Sequence, residues 1–320
     1  MNPHVFFVGC PRSGTTLLRR IGDAHPELAV IRELHWLPLW WKRRIGITPS
    51  GIVTEELVRR LLDDARFPQL ELAADRVAGL VAKDRPKHYA RFVTELFDLH
   101  GQAKGKRLVG EKTPRYVRHV RTLHSLWPQA KVVHLIRDGR DVCLSMLGWS
   151  KAGRDVGRLP PWDEDPVTTA ALFWEWNVRL GREAGVSLGP DLYHELRYES
   201  LVADPEAECV RLCRFIGIPY DDAMLRFHEG RATPGLGLSA KEARLPVTAG
   251  LRRWQEQMRP GDARRFEAAA GSLLADLGYA RATASLSKDE LERAARLREV
   301  VREHVGSRRR TPDAWKRTPA

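Results

Sequence analysis

A glycine-bracketed loop near the N-terminus has the residue types of an anion site. Gly9 and Gly14 enclose four residues, and an apolar run from Val5 to Val8 precedes them. The backbone N–H groups of such a loop, with the positive end of the helix dipole that follows, favour a bound anion. The nucleotide P-loop has this spacing but needs a lysine after the second glycine, where this chain has Thr15. The cation of the loop is Arg12, so the sequence predicts a phosphate-type cradle without the lysine that serves ATP.

Polar side chains that could take part in chemistry follow four predicted strands. In chain order they are Arg12, Glu33, Lys112 and Arg137. Ligands of parallel α/β sheets bind beyond the carboxyl ends of the strands, which share one edge of the sheet. We therefore expect these four residues to lie at that edge, and four independent segments are stronger evidence for a site than any one motif.

The elements that must position these residues alternate between strand and helix. This alternation predicts an α/β fold, P-loop-like and three-layered, with a central mostly parallel sheet flanked by helices. The predicted strands lie at 5–8, 28–31, 108–109, 131–136 and 192–196, and helical patterns cover 14–24, 54–100, 115–127, 205–217 and 254–277. Segments 148–165 and 230–250 have loop composition, and the second is long enough for a lid. Ser287-x-x-Glu290 is a capping box that opens a last helix, whose thin apolar stripe contains Leu291, Ala294, Val301 and Val305. We expect a domain over 1–285 with a helical, acceptor-side insertion at about 36–105, and a charged helix and basic tail over 286–320.

Composition indicates an anionic ligand and a reducing compartment. The 320-residue chain has a formal net charge of +12, part of it in the tail around Arg308–Arg310. The four cysteines form no C-x-x-C pair and no zinc-type cluster, so we predict no metal site. The N-terminus shows neither a signal-peptide pattern nor a long apolar run, and we predict a cytoplasmic protein without a transmembrane segment.

Two segments together resemble a known family. Pro11-Arg12-Ser13-Gly14-Thr15-Thr16, followed by Arg137-Asp138-Gly139-Arg140-Asp141-Val142-Cys143-Leu144-Ser145, is similar to the sulfotransferases that use 3′-phosphoadenosine-5′-phosphosulfate (PAPS). The bacterial and tyrosylprotein-type branch also carries Asp-Ala-His-Pro, present here as Asp23-Ala24-His25-Pro26. The resemblance extends in patches from residue 5 to about residue 279.

The resemblance implies which residues hold PAPS. The 5′-phosphosulfate would lie against the first loop, formed by Pro11, Arg12, Ser13, Gly14, Thr15 and Thr16. Arg137 and Ser145 would hold the 3′-phosphate, because a guanidinium can donate to two phosphate oxygens at once. Tyr198 resembles a tyrosine that contacts the cofactor, and Arg253 is a second candidate for the 3′-phosphate, with Arg244 and Arg252 as competitors.

The resemblance also implies catalytic roles. Glu33 matches the general base of the tyrosylprotein branch, but His35 stands where that branch has arginine, which makes His35 a rival base. Lys112 matches a lysine thought to stabilise the transferred sulfuryl group. The expected reaction is in-line transfer to an acceptor hydroxyl, giving adenosine 3′,5′-bisphosphate (PAP) without a metal, with Arg12 and Lys112 stabilising the leaving phosphate.

The sequence leaves several alternatives open. A P-loop kinase or other NTPase is the rival enzyme, and a protein whose basic tail binds nucleic acid or anionic membrane is the rival of another class. Arg137 could pair with Asp138 or Asp141, and Lys112 with Glu111. The aromatic segment from Trp36 to Trp41 could be a pocket wall or a segment pinned to the core. The acceptor could be a phenol, sugar, lipid or tyrosine, and a homodimer is one possible oligomeric state; we predict no nucleic-acid partner.

Overall fold

The structure is a computed structural model that describes residues 4–81, 85–151, 159–229 and 253–310, with the backbone alone for 307–310. Its strands are β1 (Val5–Gly9), β2 (Leu28–Ile31), β3 (Leu108–Lys112), β4 (Lys131–Ile136) and β5 (Tyr193–Arg197). Its α-helices, in chain order, are α1 (Thr15–Ala24), α2 (Leu37–Arg43), α3 (Glu55–Leu62), α4 (Ala74–Ala78), α5 (Tyr89–Lys104), α6 (Val120–Leu126), α7 (Gly139–Lys151), α8 (Pro166–Leu188), α9 (Tyr198–Ala203), α10 (Pro205–Ile216), α11 (Trp254–Gln257), α12 (Pro260–Asp276) and α13 (Lys288–Arg310).

The chain divides into two compact units. Unit 1 comprises Met1–Ile136 and Leu180–Ala249, and unit 2 comprises Arg137–Arg179 and Gly250–Ala320. All five strands belong to unit 1, and they form one sheet in the order β2-β3-β1-β4-β5. Every pairing in it is parallel, which confirms the predicted α/β fold.

Apolar side chains cover both faces of the sheet because alternate strand residues point to opposite sides. One face buries Phe6, Val8 and Ile31 with α5, and the other buries Val5, Phe7 and Val30 with α1 and α10. A parallel sheet needs helices on both faces, and this arrangement gives the predicted three layers within unit 1.

The Asp-Ala-His-Pro segment that contributed to the family resemblance fixes the turn from α1 into β2. Asp23 accepts a hydrogen bond from the backbone N–H of Val30 at 2.9 Å, and His25 Nδ1 accepts one from the N–H of Glu27 at 3.0 Å. The other ring nitrogen of His25 lies 2.8 Å from the carbonyl of Pro219. These side chains therefore satisfy turn backbone that would otherwise be buried without partners.

Several helical predictions needed correction. The stretch predicted as helical over 54–100 is divided into α3, a 3₁₀ turn at Phe67–Leu70, α4 and α5. The helix predicted at 115–127 begins as a 3₁₀ segment, Pro114–His119, and α7 continues to Lys151 in a region predicted to be a loop. The expected lid at 230–250 lies outside the described residues.

Unit 2 ends in the charged helix that the sequence predicted. Ser287 and Glu290 form the predicted capping box, with reciprocal bonds of 2.8 and 3.2 Å between backbone N–H and side-chain oxygen. The buried stripe of α13 contains Ala294, Leu297 and Val301, whereas Leu291, which the sequence assigned to that stripe, is exposed.

Candidate active site

The first loop has the backbone of a strained anion cradle. It runs from the end of β1 to the start of α1, and the N–H of Ser13 donates to the carbonyl of Cys10 at 3.2 Å. Arg12 has φ 77°, a left-handed conformation that costs a non-glycine residue about 1 kcal/mol or more. No side chain caps the N-terminus of α1, whose first turn contains no acidic residue. The loop therefore presents a helix N-terminus that is open to an anion.

Each glycine of the loop is required by its surroundings. A Cβ at Gly9 would lie 2.6 Å from the carbonyl oxygen of Leu135 on β4, too close for any other residue. Gly14 has φ 95°, and a Cβ there would lie 2.5 Å from the ring of Tyr198. Tyr198, predicted to contact the nucleotide, thus packs directly on the second glycine of the loop.

Ser13 carries the most informative side chain of this loop. It is fully buried, and its Oγ has no hydrogen-bond partner in the structure. Burying a hydroxyl without a partner is unfavourable by roughly 1–3 kcal/mol, so such groups in native proteins usually have a missing partner. A phosphate oxygen would supply that partner, so the residues of the loop fit a group of the phosphosulfate type.

A second cluster joins the segment after β2 to the end of β3. Lys112 Nζ lies 2.5 Å from Glu33 Oε1, and His35 Nε2 lies 3.0 Å from Glu33 Oε2. Both oxygens of Glu33 therefore have a nitrogen partner. The alternative pairing of Lys112 with Glu111 is not what the structure shows, and the burial of Lys112 excludes a solvated lysine.

The register of the sheet explains why these residues meet. The β2–β3 ladder ends with Ile31 opposite Glu111, so Glu33 and Lys112 both lie at the carboxyl end of their strands. His35 has φ 62°, which turns the chain immediately after Glu33. Arg12 and Glu33 thus follow the ends of β1 and β2, and Lys112, predicted to follow its strand, is the last residue of β3.

The electrostatics of Glu33 are dominated by opposing effects. Burial raises the pKa of its carboxyl, but the charge of Lys112 and the hydrogen bonds from His35 and Lys112 outweigh it and hold the pKa well below the ordinary range. Glu33 is therefore ionised at neutral pH. Each of its oxygens accepts from one nitrogen and keeps a second lone pair.

The residues predicted to hold the 3′-phosphate belong to unit 2. Arg137 is the first residue after β4, and its Nη2 lies 3.4 Å from Asp141 Oδ2, which realises the ion pair that the sequence left open. Ser145 is buried two turns into α7. The other oxygen of Asp141 accepts the N–H of Trp254 at 2.9 Å, so the chain next to Arg253 is tied to the start of α7.

Arg253, the residue before α11, pairs with a glutamate of that helix. Its side chain is 59% exposed and lies 3.0 Å from Glu256. Its competitors, Arg244 and Arg252, lie outside the described residues. The buried arginine of this region is Arg140, which donates to Asp138 and Glu267 and stacks on the ring of Trp254 at 3.6 Å. Burial and full pairing make Arg140 a structural residue, although the sequence placed it within the second signature.

The aromatic segment is mainly part of the core. Trp36 is buried and stacks on Trp40 with ring centroids 4.8 Å apart, and Trp41 stacks on buried Tyr89 at 5.6 Å. Trp40 and Trp41 retain partial exposure. The segment is therefore pinned to unit 1 by its tryptophans, which was one of the two predicted alternatives.

Sequence reasoning missed one residue of this cluster. Glu111 was considered only as a partner of Lys112, yet its side chain is fully buried and bonds to the chain next to Glu33. Within the described parts of the chain, no group of three or more histidine, cysteine or acidic residues could hold a metal ion. None of the described helices is both long and apolar enough to cross a bilayer.

Comparison with known proteins gives consistent matches. A model of the sulfotransferase family matches residues 3–222. A protein-tyrosine sulfotransferase of Drosophila melanogaster is 27% identical over 284 residues, which cover 87% of this chain and 52% of that protein. Protein-tyrosine sulfotransferase 1 of Danio rerio is 29% identical over 288 residues, covering 87% of this chain and 72% of the relative. The chain thus spans about half the length of the Drosophila protein.

A solved structure agrees with the sequence matches. The sulfotransferase domain of the olefin synthase from Synechococcus PCC 7002 superimposes with a TM-score of 0.62 and 26% identity. The superposition covers 87% of this chain and 95% of that domain. The similarity therefore extends over nearly the whole of that domain.

Proposed function

Since the chain belongs to the sulfotransferase family, we propose that it transfers a sulfuryl group from PAPS to the hydroxyl of an acceptor. The observation that carries this proposal is that two features occur together in unit 1. One is the uncapped loop with the buried, unpartnered hydroxyl of Ser13, and the other is the Lys112–Glu33–His35 cluster beyond β2 and β3. The first suits a phosphate-type anion, and the second suits proton removal beside a positive charge.

The residues of the loop account for binding of the 5′-phosphosulfate. Backbone N–H groups at the start of α1, the Ser13 hydroxyl, Thr15 and Thr16 are the donors, and Arg12 supplies charge. Arg137, Ser145 and Arg253 are proposed to hold the 3′-phosphate on the strength of the sequence resemblance. Tyr198, which packs on Gly14, is proposed to contact the nucleotide.

PAPS supplies an activated sulfuryl group, and the protein supplies the proton acceptor and the charge. As the acceptor oxygen bonds to sulfur and the bond from sulfur to the 5′-phosphate oxygen breaks, Glu33 takes the hydroxyl proton. Lys112 and Arg12 stabilise the negative charge that grows on the phosphate oxygen, an effect that is stronger in the transition state than in the ground state.

The low pKa of Glu33 places a condition on this mechanism. A carboxylate held so far below neutrality is a weak base. We propose that Lys112 turns towards the donor when it binds, which removes the largest of the effects lowering the pKa of Glu33 and frees its Oε1. His35 stays within 3.0 Å of Oε2 and is the alternative base.

The acceptor is proposed at the level of a hydroxyl group. Two relatives are named protein-tyrosine sulfotransferases, and tyrosine is therefore the first acceptor to test. Phenols, sugars and lipids remain candidates, and cytoplasmic location, the division at residue 285 and a homodimer stay predictions.

The rival functions can be separated by binding. A kinase or NTPase would bind ATP with magnesium, whereas the proposed site should prefer PAP to both AMP and ATP, as measured by calorimetry. A tail-binding protein would lose its ligand on removal of 307–320, which contains the basic run Arg308–Arg310. Truncation after residue 306 is the appropriate test, because a cut at 286 would also remove Leu297, which is fully buried in unit 2.

The decisive experiment is an acceptor screen with PAPS, read by mass spectrometry for an added sulfo group. The panel contains a tyrosine peptide, 4-nitrophenol, an oligosaccharide and a long-chain alcohol, and Glu33→Gln is the control enzyme. Transfer to one class by the wild type and its loss in Glu33→Gln are expected. Absence of transfer to every class, together with no preference for PAP over AMP, would overturn the proposal.

A further inference from the structure

Two consecutive residues of β3 hold two consecutive residues of the segment after β2. Lys112 Nζ pairs with the side chain of Glu33 at 2.5 Å, and Glu111 Oε1 accepts the backbone N–H of Leu34 at 3.0 Å. The second bond lies one residue from the proposed base. It crosses from strand to loop just where the β2–β3 ladder ends, at the Ile31–Glu111 pair.

The carboxyl group of Glu111 accepts the Leu34 N–H just beyond the last residue pair of the β2–β3 ladder. The carbonyl of Leu34 accepts the N–H of Trp36 at 2.8 Å, and His35 between them has the left-handed φ of 62°. With its N–H bonded to Glu111, Leu34 has both backbone groups satisfied. Glu33 and His35, the residues on either side of Leu34, are thereby fixed in direction.

A buried glutamate is an energetically unfavourable choice if its only role is to accept one backbone hydrogen bond. It is fully buried, and Oε1 also accepts the hydroxyl of Thr113 at 2.5 Å, but Oε2 has no hydrogen-bond partner in the structure. A buried carboxyl with an unpartnered oxygen carries a desolvation penalty that a neutral side chain would avoid. An uncharged acceptor could make the bond to Leu34 equally well.

The electrostatics connect Glu111 with the cluster around Glu33. The pKa of Glu111 is raised to about 8, mainly by burial and also by the negative charge of Glu33. The hydrogen bonds from Leu34 and Thr113 and the charge of Lys112 lower it, but by less. Tyr116, the other titratable group that faces it, has its pKa raised by burial and then by Glu111. Glu111 is therefore linked to Glu33 in two ways: by the charge of Glu33, and by the hydrogen bond to the backbone of the next residue, Leu34.

We propose that Glu111 is a positioning residue that aims the Glu33 carboxylate through its hydrogen bond to the Leu34 N–H. The proposal rests on the function proposed above for Glu33. It predicts that what matters at position 111 is an acceptor for that N–H, and that without it Glu33 leaves Lys112 and His35.

The test follows the titration of Glu33 directly, without an acceptor substrate. The carboxyl carbons of glutamate are labelled with carbon-13, and the Glu33 signal is assigned by its loss in Glu33→Gln. In the wild type and in Glu111→Gln, whose amide oxygen can accept the same N–H, Glu33 should stay ionised well below the ordinary carboxyl pKa. In Glu111→Met it should titrate near the ordinary value of about 4.3.

Turnover provides the second readout. With PAPS and a tyrosine peptide, kcat should fall by about tenfold in Glu111→Met and change less than about threefold in Glu111→Gln. The Kd for PAP should change by less than about threefold in both. Thr113→Val is the matched control, because it removes the other donor to Glu111 and leaves the bond to Leu34; it should leave the Glu33 titration unchanged.

The possible outcomes distinguish a failure of the positioning role of Glu111 from a failure of the function proposed for Glu33. An unaltered Glu33 titration in Glu111→Met overturns the positioning role, and so does its loss in Glu111→Gln. Full turnover in Glu33→Gln would instead overturn the proposed base. If Glu111→Met does not fold, hydrogen exchange of the Leu34 amide decides: the amide should be protected in the wild type and in Glu111→Gln, and an unprotected amide in the wild type refutes the bond.

Discussion

Lys112 and Glu33 form an ion pair in which the lysine is almost wholly buried and the carboxylate is partly open, with side chains 4% and 39% exposed. An exposed pair would contribute little, because water screens it. Here burial keeps the lysine side chain at the end of β3, and the proposed turn towards the donor needs only its terminal ammonium group to move. The asymmetry makes Glu33 the more accessible member of the pair.

Replacing Lys112 should impair chemistry more than binding. Lys112→Met is expected to lower kcat on the order of a hundredfold, the scale of losing one donor that stabilises developing charge, with a much smaller change in the Kd for PAP. The measurement is turnover of PAPS with calorimetry on the same preparation. Lys104→Met, which alters an exposed lysine paired with Glu71, is the control and should retain full activity.

The same substitution should shift the pH dependence of activity. The pKa of Glu33 is depressed in the free enzyme, so the carboxylate stays ionised as the pH falls, and the acid limb of kcat/KM, which reports the free enzyme, should lie below the ordinary carboxylate range. Without the charge of Lys112 that pKa rises, and the acid limb should move to higher pH. An acid limb that stays in place in Lys112→Met would assign the limb to another group.

Glu33 and His35 can be distinguished by paired substitutions. Glu33→Gln should reduce kcat by roughly a hundredfold or more, because general-base catalysis contributes on that scale. His35→Asn tolerates the left-handed backbone at φ 62° and should cost less than about tenfold. The reverse order of the two losses, in kcat measured above pH 7, would make His35 the base.

Ser13 should show opposite effects on affinity and stability. Ser13→Ala removes a buried hydroxyl that has no partner, so thermal stability without ligand should be unchanged or higher. Loss of a bond to a charged phosphate should raise the Kd for PAP about tenfold, or about 1.4 kcal/mol. Ser125→Ala, at an exposed serine, should change neither quantity.

Gly14 should be intolerant of a side chain for two separable reasons. Gly14→Ala combines left-handed strain with a Cβ only 2.5 Å from the Tyr198 ring, so we expect more than about 2 kcal/mol of destabilisation. Gly105→Ala is the control: φ is 65°, but nothing lies within 4 Å of the new Cβ, so strain alone of about 1 kcal/mol remains. Denaturant unfolding of both variants measures the difference.

The sequence predicted those elements whose signals are local. β2 and β4 were predicted at 28–31 and 131–136 and lie at Leu28–Ile31 and Lys131–Ile136, because each is a short apolar run between turn residues. The start of α1 and the capping box of α13 follow from a few adjacent residues. The candidate site was predictable to the same extent: Arg12, Glu33 and Lys112 stand where strands end.

The features that the sequence did not predict depend mainly on contacts between distant segments. The division of 54–100 into separate helices coincides with Pro68, Gly79 and Pro86, local breakers that the single helical prediction passed over. By contrast, α13 buries Leu297 rather than Leu291 because of how it packs. Glu111 and Leu34 are 77 residues apart, so their bond exists only once β2 and β3 have paired. A positioning role of that kind can be recognised only when the fold is known.

The strand order has a consequence for how this chain is made. β1 is synthesised first, yet it lies between β3 and β4, where Val5 pairs with Gly110 on one side and Lys131 on the other. Until those segments leave the ribosome, a wholly apolar strand has both edges unpaired, a state that favours association with other chains. The geometry that puts the cradle at the middle of the sheet therefore also makes nascent chains dependent on protection until β4 is complete.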